Sequence, residues 1–343
     1  MIVTRRAALA LLLDGCAVTW AECVAGTGTA RPRSTLQRWR TGNRTLAPLS
    51  RAGPLLLFAG ERTLGAISLD RPQPLWTLEH GLAQGAVFRP RATGHRVVCA
   101  GRDAIVCGDL DGGQWHWRHV ARMQTGAPLV QADRTYVGDG HEILALDTAT
   151  GAPLWRFPGI VGTLASYAPA IAGDTVLAGP GDGRLYALAA GDGRLRWVID
   201  RSAEWQYLRQ LHVSGHVLVA GSYREKLYGI SVDDGTVLWS FDAGNFINSH
   251  HIAGDTTYLW SPTGWIFAID VASGALRWRH RTTDYTGAAG HWAPVMAELV
   301  TEQGKLYALA MDDVLHVLDP AIFVALRQRV LVEERPVLLL QGG

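Results

Sequence analysis

Lysine is almost absent from this chain. Lys226 and Lys305 are the only two in 343 residues, and arginine supplies the remaining positive charge, a bias that fits a high-GC bacterial genome. The net charge is only +1 and the basic residues are spread along the chain, which excludes a nucleic-acid footprint. No run of about 20 apolar residues occurs, so no transmembrane helix is expected. Four cysteines are present, Cys16, Cys23, Cys99 and Cys107, none of them at metal-binding spacing. GxSxG, HExxH and Walker sequences are missing as well. The GPGDG stretch at 179–183 has no helical pattern behind it and reads as a hairpin turn rather than a phosphate loop.

What the chain does have is a repeated phrase. ILALDTATGAPLWRF at 143–157 has near-copies ending on Trp117, Trp197, Trp239 and Trp278, and a weaker copy ending on Trp76; LQRW ends on Trp39. These seven tryptophans are separated by 37, 41, 38, 42, 42 and 39 residues. A period of about 40 residues with four short apolar runs per unit predicts a propeller blade. The run Ile143–Leu146 is apolar on both faces, so the third strand must be covered on both sides, here by the neighbouring blades.

Two columns sharpen the register. Ten residues before each Trp stand Ala66, Cys107, Ala145, Ala187, Gly229 and Ala268. All are small, which predicts close approach of adjacent blades there, with the Trp filling a wider gap further out. Four residues before the Trp stand Gly113, Gly151, Gly193, Gly235 and Gly274, expected turn residues; Pro72 takes that place in the first unit. The phrase therefore reads as structural.

LYALAAGDGRLRW and IFAIDVASGALRW resemble the pyrroloquinoline-quinone-type propeller repeat. Quinoprotein dehydrogenases, the barrel-assembly lipoprotein of the outer membrane and many actinobacterial proteins share it. The resemblance covers roughly residues 36–330 and implies an all-β propeller of four-stranded antiparallel blades; it implies little about function. The dehydrogenases of this kind carry an adjacent cysteine pair and calcium-binding residues. This chain has no such pair and no acidic cluster at the inner strands, so no quinone or other cofactor is expected. Seven blades are favoured, with eight open. FVALRQRV, or LQRW at 36–39, would complete the last blade, and ERPVLLLQGG could begin an eighth.

The expected organisation is a signal-like or disordered segment at 1–35 and a single, monomeric propeller domain at 36–343. MIVTRRAALALLLDGC resembles a secretion signal with paired arginines, ending in a lipoprotein box at Leu13-Asp14-Gly15-Cys16. Cys16 is then the lipidation site of an exported or cell-surface protein; a cytoplasmic protein with a plain tail is the alternative. Cys99 and Cys107, on consecutive strands of the second unit, would face each other as a disulfide or remain two buried thiols.

The channel mouth is the place to expect a ligand. Aligning the units on Pro90, Pro128, Pro169 and Pro294 puts Phe88, Gly126, Tyr167, Arg209, Asn248 and Trp292 two places upstream. Tyr167, Arg209, Asn248 and Trp292 are the expected ligand-binding set. His291 and His250 are the candidate acid–base residues, and His212 and His251 share a register. His250 and His251 are adjacent on a strand and point to opposite faces, so they do not share one metal, and no metal is expected. Two functions stay open: a non-catalytic scaffold that binds a protein or ligand, and a cofactor-independent lyase, isomerase or cyclase of secondary metabolism working at the mouth.

Overall fold

Short apolar runs broken by polar turns fold into antiparallel meanders because each strand can then bury its side chains against the next sheet. The computed structural model describes residue 44 and residues 47–68, 74–159, 163–165, 167–205, 208–222, 224–244, 247, 249–261, 264–281, 299–309 and 315–321. They form seven antiparallel sheets, the blades of a seven-bladed propeller, at 50–79, 91–120, 129–157, 170–200, 208–242, 249–281 and 300–318. Six have four strands, and the seventh has three among the described residues. The stretches 36–39, 323–330 and 334–343, the candidates for closure or an eighth blade, lie outside the described residues, as does the segment 1–35 with Cys16.

Within each blade the strands pair in chain order. First strands of neighbouring blades touch one another, as Arg91–Thr93 does Leu129–Gln131, and Leu208–Ser214 does Ser249–Ala253. They therefore ring the axis. The third strands carry the core: in Glu142–Asp147 and Trp265–Asp270 the four central residues are all buried. Fourth strands alternate, with one side turned to solvent, as in Trp115–Val120.

The small-residue column does meet the neighbouring blade, as Cys107 does the Thr148 carbonyl and Ala187 the core of blade five, and a second neighbour confines it as well. Ala66, Cys107, Ala145, Ala187, Gly229 and Ala268 are each the direct cross-strand partner of their own blade's Trp76, Trp117, Trp155, Trp197, Trp239 and Trp278. Size there is thus limited by the blade's own Trp as well as by the next blade. At Gly229 even a Cβ would stand 2.1 Å from the Trp239 ring.

Each indole also reaches the next blade. The Trp155 N–H donates to the Ala190 carbonyl at 2.9 Å and the Trp197 N–H to the Val232 carbonyl at 3.0 Å. Trp117 and Trp239 repeat the bond to Thr148 and Val271. The ring packs on a turn glycine of that next blade, Trp155 on Gly193 and Trp117 on Gly151. In blade two the left-handed residue against Trp76 is Gly112, φ 81°, and not Gly113.

Every four-stranded blade has a β-bulge just before its Trp, which sets one fourth-strand residue out of the Cα register: Leu75, His116, Leu154, Arg196, Leu238 and Arg277 in turn. The polar ones are tied down. His116 bonds Asp109 at 2.6 Å, Arg196 pairs with Asp174 and Arg277 with Asp255. The leucines of blades one, three and five are close to half exposed.

Of the two arrangements open for the cysteines, the structure has the buried pair and not the disulfide. Cys99 pairs with Val106 and Cys107 with Val98 across the same two strands. Their side chains therefore leave opposite faces of the sheet, Cys99 into the core beside blade one and Cys107 into the core beside blade three. Both are free thiols, and burial pushes both up to about 12.

Candidate functional site around the propeller axis

The first hairpins give a common ruler for the inner strands. Ser50, Arg91, Leu129, Ala170, His212, His251 and Val300 each occupy the position two residues before the end of the first strand. They form one level around the axis. The next position outward in each blade holds Leu49, Pro90, Pro128, Pro169, Leu211, His250 and Leu299. Side chains alternate in direction along a strand, and this second set packs between blades; Leu211, His250 and Leu299 are all buried there.

His250 thus fills a proline's place in a packed column. It is 3% exposed, its ring lies 4.6 Å from that of His212, and neither ring nitrogen has a hydrogen-bond partner. Burial, then the neighbouring His212 and His251, hold it well below the usual imidazole range. It is a neutral, walled-in ring rather than a group that meets a ligand at the mouth. As expected, His251 points the other way: its Nε2 lies 2.9 Å from the Thr301 hydroxyl of blade seven.

Blade five carries a device that the sequence reading missed. Between Arg209, opposite Gly221, and Leu211, opposite Ala220, Gln210 is an extra residue with φ 44°. The bulge turns its side-chain oxygen toward blade six, where it accepts the His250 N–H at 2.9 Å. Arg209 belongs to this first strand, Leu208–Ser214. Tyr167 is half-buried just before the first strand of blade four. Asn248, His291 and Trp292 lie outside the described residues. The first strand of blade seven starts at Val300, which makes Leu299 rather than Pro294 the counterpart of Pro90, Pro128 and Pro169.

The electrostatics of the level are one-sided. Burial, and after it the charges of His251 and Arg91, push His212 down to about 4. Burial and then Arg89 lower His251. Arg91 is lowered by burial, and Arg89 by burial and by Arg91. Blade two thus faces blades five and six across the axis. At neutral pH the ring holds charged guanidinium on one side and neutral imidazoles on the other. No group of three or more His, Cys, Asp or Glu among the described residues could hold a metal ion. Arg91 could have been found from sequence, since it follows Pro90 as Leu129 follows Pro128 and Ala170 follows Pro169.

The family model for outer membrane protein assembly factor BamB matches residues 60–206 and 200–321. No curated protein matches the chain. BamB from Moraxella catarrhalis is similar in structure, with a TM-score of 0.64 at 18% identity, over 81% of this chain and 84% of that one. So is Sqt1 from Saccharomyces cerevisiae, with 0.64 at 14% identity over 81% and 83%. The computationally designed protein Ika8 gives 0.60 at 16% identity over 81% and 96%. At these identities the structures show the fold alone, and it is the family model, spanning most of the chain, that decides kinship. The chain belongs to the BamB-type family of quinone-type repeat propellers.

Proposed function

We propose that this protein is a non-catalytic scaffold, exported to the cell envelope, that presents its outer strands to a protein partner. The observation that carries the reading is the fate of the repeated phrase. Its Trp, Gly and small residues are used up in blade-to-blade packing, while the bulge that comes with it leaves Leu75, Leu154 and Leu238 at 48, 45 and 49% exposure. Single exposed leucines are ordinary. Three at one repeated structural position, on alternate blades of an assembly-factor family, supply apolar anchors along unpaired outer strands. The lipoprotein box ending at Cys16 supports export and anchoring.

A photo-crosslinking residue placed at Leu154 or Leu238 in the full-length protein, in its own cells, tests this reading. Discrete protein adducts are expected, and they should vanish when Leu75, Leu154 and Leu238 are all changed to Glu. Adducts no different from those at the buried control position Leu144 would contradict it.

A second reading, a cofactor-independent small-molecule enzyme, is favoured by one observation: His251, on an inner strand, is a neutral imidazole hydrogen-bonded to Thr301 of blade seven, a state competent to accept a proton. It requires that His251→Gln abolish turnover while the fold stays intact.

A further inference from the structure

The seven inner strands hold a single carboxylate, Glu302, which sits exposed at a hairpin end. Their other charged residues are Arg51, Arg91 and Arg209. Arg51 is exposed and turned onto the Gly53 carbonyl. Arg91 differs: it is half-buried, its buried Nε has no hydrogen-bond partner, and no ion pair or nearby charge offsets it among the described residues.

A partly desolvated guanidinium without a partner is costly, and buried donors are ordinarily satisfied. Around the same level stand further donors. Arg89 lies two residues before Arg91, and its charge acts on His251 and His212. The pair made by His251 and Thr301 has two protons between an imidazole N–H and a hydroxyl; one joins them and one is left to donate. Glu302 lies two residues along from Val300, the blade-seven member of this level, and is exposed. Among the described residues the site has positive charge and donors and no carboxylate facing them.

We propose that the axial channel, at the level of Arg91, His212 and His251, binds a small oxyanion, a carboxylate or phosphate group. Its planar fork suits Arg91 to two oxygens of one such group, while the imidazoles and the Thr301 hydroxyl complete the shell from blades five to seven. Among the described residues the titratable and charged groups facing the ligand are Arg89 and Arg91 from blade two, His212 from blade five and His251 from blade six. His250 stands behind them between the blades. A bound anion favours the imidazolium form of His212 and His251, so binding tightens as pH falls.

Titration calorimetry on the full-length protein at low salt, with inorganic phosphate in one arm and succinate in the other, tests the proposal. Saturable binding of at least one probe is expected, tighter at about pH 6 than at about pH 8. Arg91→Gln should weaken it on the order of tenfold or more, the loss of a charge-assisted bond. Arg279→Gln, on the outer surface over the Trp265 ring, should leave it unchanged. The melting temperature of Arg91→Gln without anion should equal or exceed that of the parent, because an unpaired buried charge has been removed. Binding of neither probe, equal binding by Arg91→Gln, or a marked loss of stability in that variant would each overturn the site.

Discussion

Gly193 of blade four lies under the indole of Trp155 of blade three, so close that a Cβ on the glycine would stand 2.7 Å from the ring. The relationship recurs between Trp117 and Gly151, Trp197 and Gly235, and Trp239 and Gly274. It joins a fourth strand to the third-to-fourth turn of the next blade, and it explains why Trp and Gly keep their spacing along the chain.

Packing around Trp197 should be sensitive from both sides. Trp197→Ala should cost about 3–5 kcal/mol through the cavity it leaves, and Ala187→Leu roughly 1–3 kcal/mol, since Leu would push against the indole paired with it. Chemical denaturation of both variants checks this; unchanged midpoints would contradict the cross-strand register.

Acid should destabilise the fold through the axial histidines. His212 is depressed from 6.5 to about 4 in the folded state, so the unfolded chain takes up its proton first. The stability this neutral ring contributes is complete above about pH 6.5 and is lost as pH falls toward 4, on the order of 1–3 kcal/mol. His212→Gln should flatten the stability–pH curve in that window. Asp270, held down to about 2 by Arg277 and the Ser273 hydroxyl, acts in a separate, more acidic window. A curve for His212→Gln parallel to that of the parent would contradict the burial of this ring.

Cys99 and Cys107 should be unreactive in the native protein and both titrate as free thiols after denaturation without reductant. If this pair appears only after reduction, the opposite-face assignment is wrong.

For the proposed export, Cys16→Ala should move the protein from the membrane fraction to the soluble fraction or block its processing. Mass spectrometry finding an intact Met1 on cytosolic protein would end the anchoring idea.

Much of the fold is legible in the repeat because the signals are local. The Trp period marks blades one to six, and the Ile143–Leu146 run identifies a strand covered on both faces. What escaped is what counting along the chain cannot carry. A bulge inserts one residue between strands, so Ala187 and Trp197 become partners although a simple offset gave no reason for it, and a tighter turn, with the Gly112 N–H bonded to the Asp109 carbonyl, puts Gly112 in the place assigned to Gly113. The extra Gln210 is a bulge of the same kind. The ring of Arg91, His212 and His251 joins blade two to blades five and six across the axis, over more than a hundred residues. The repeat put His212 and His251 in one register, but that Arg91 meets them across the axis depends on how the ring closes. In blade seven Pro294 looked like the inner-strand proline, but the strand begins at Val300, so sequence type misled where register decides.

A double-mutant cycle between Trp155 and Gly193 tests the central claim most directly, that the repeated phrase exists to join neighbouring blades. Gly193→Ala alone should be destabilising, both because its φ of 74° disfavours a side chain and because the new Cβ meets the Trp155 ring. In a Trp155→Ala background the steric part disappears and only the backbone strain remains. The account predicts a coupling free energy on the order of 1 kcal/mol or more between the two sites. Strictly additive losses would mean that the indole and the glycine do not meet, and would contradict it.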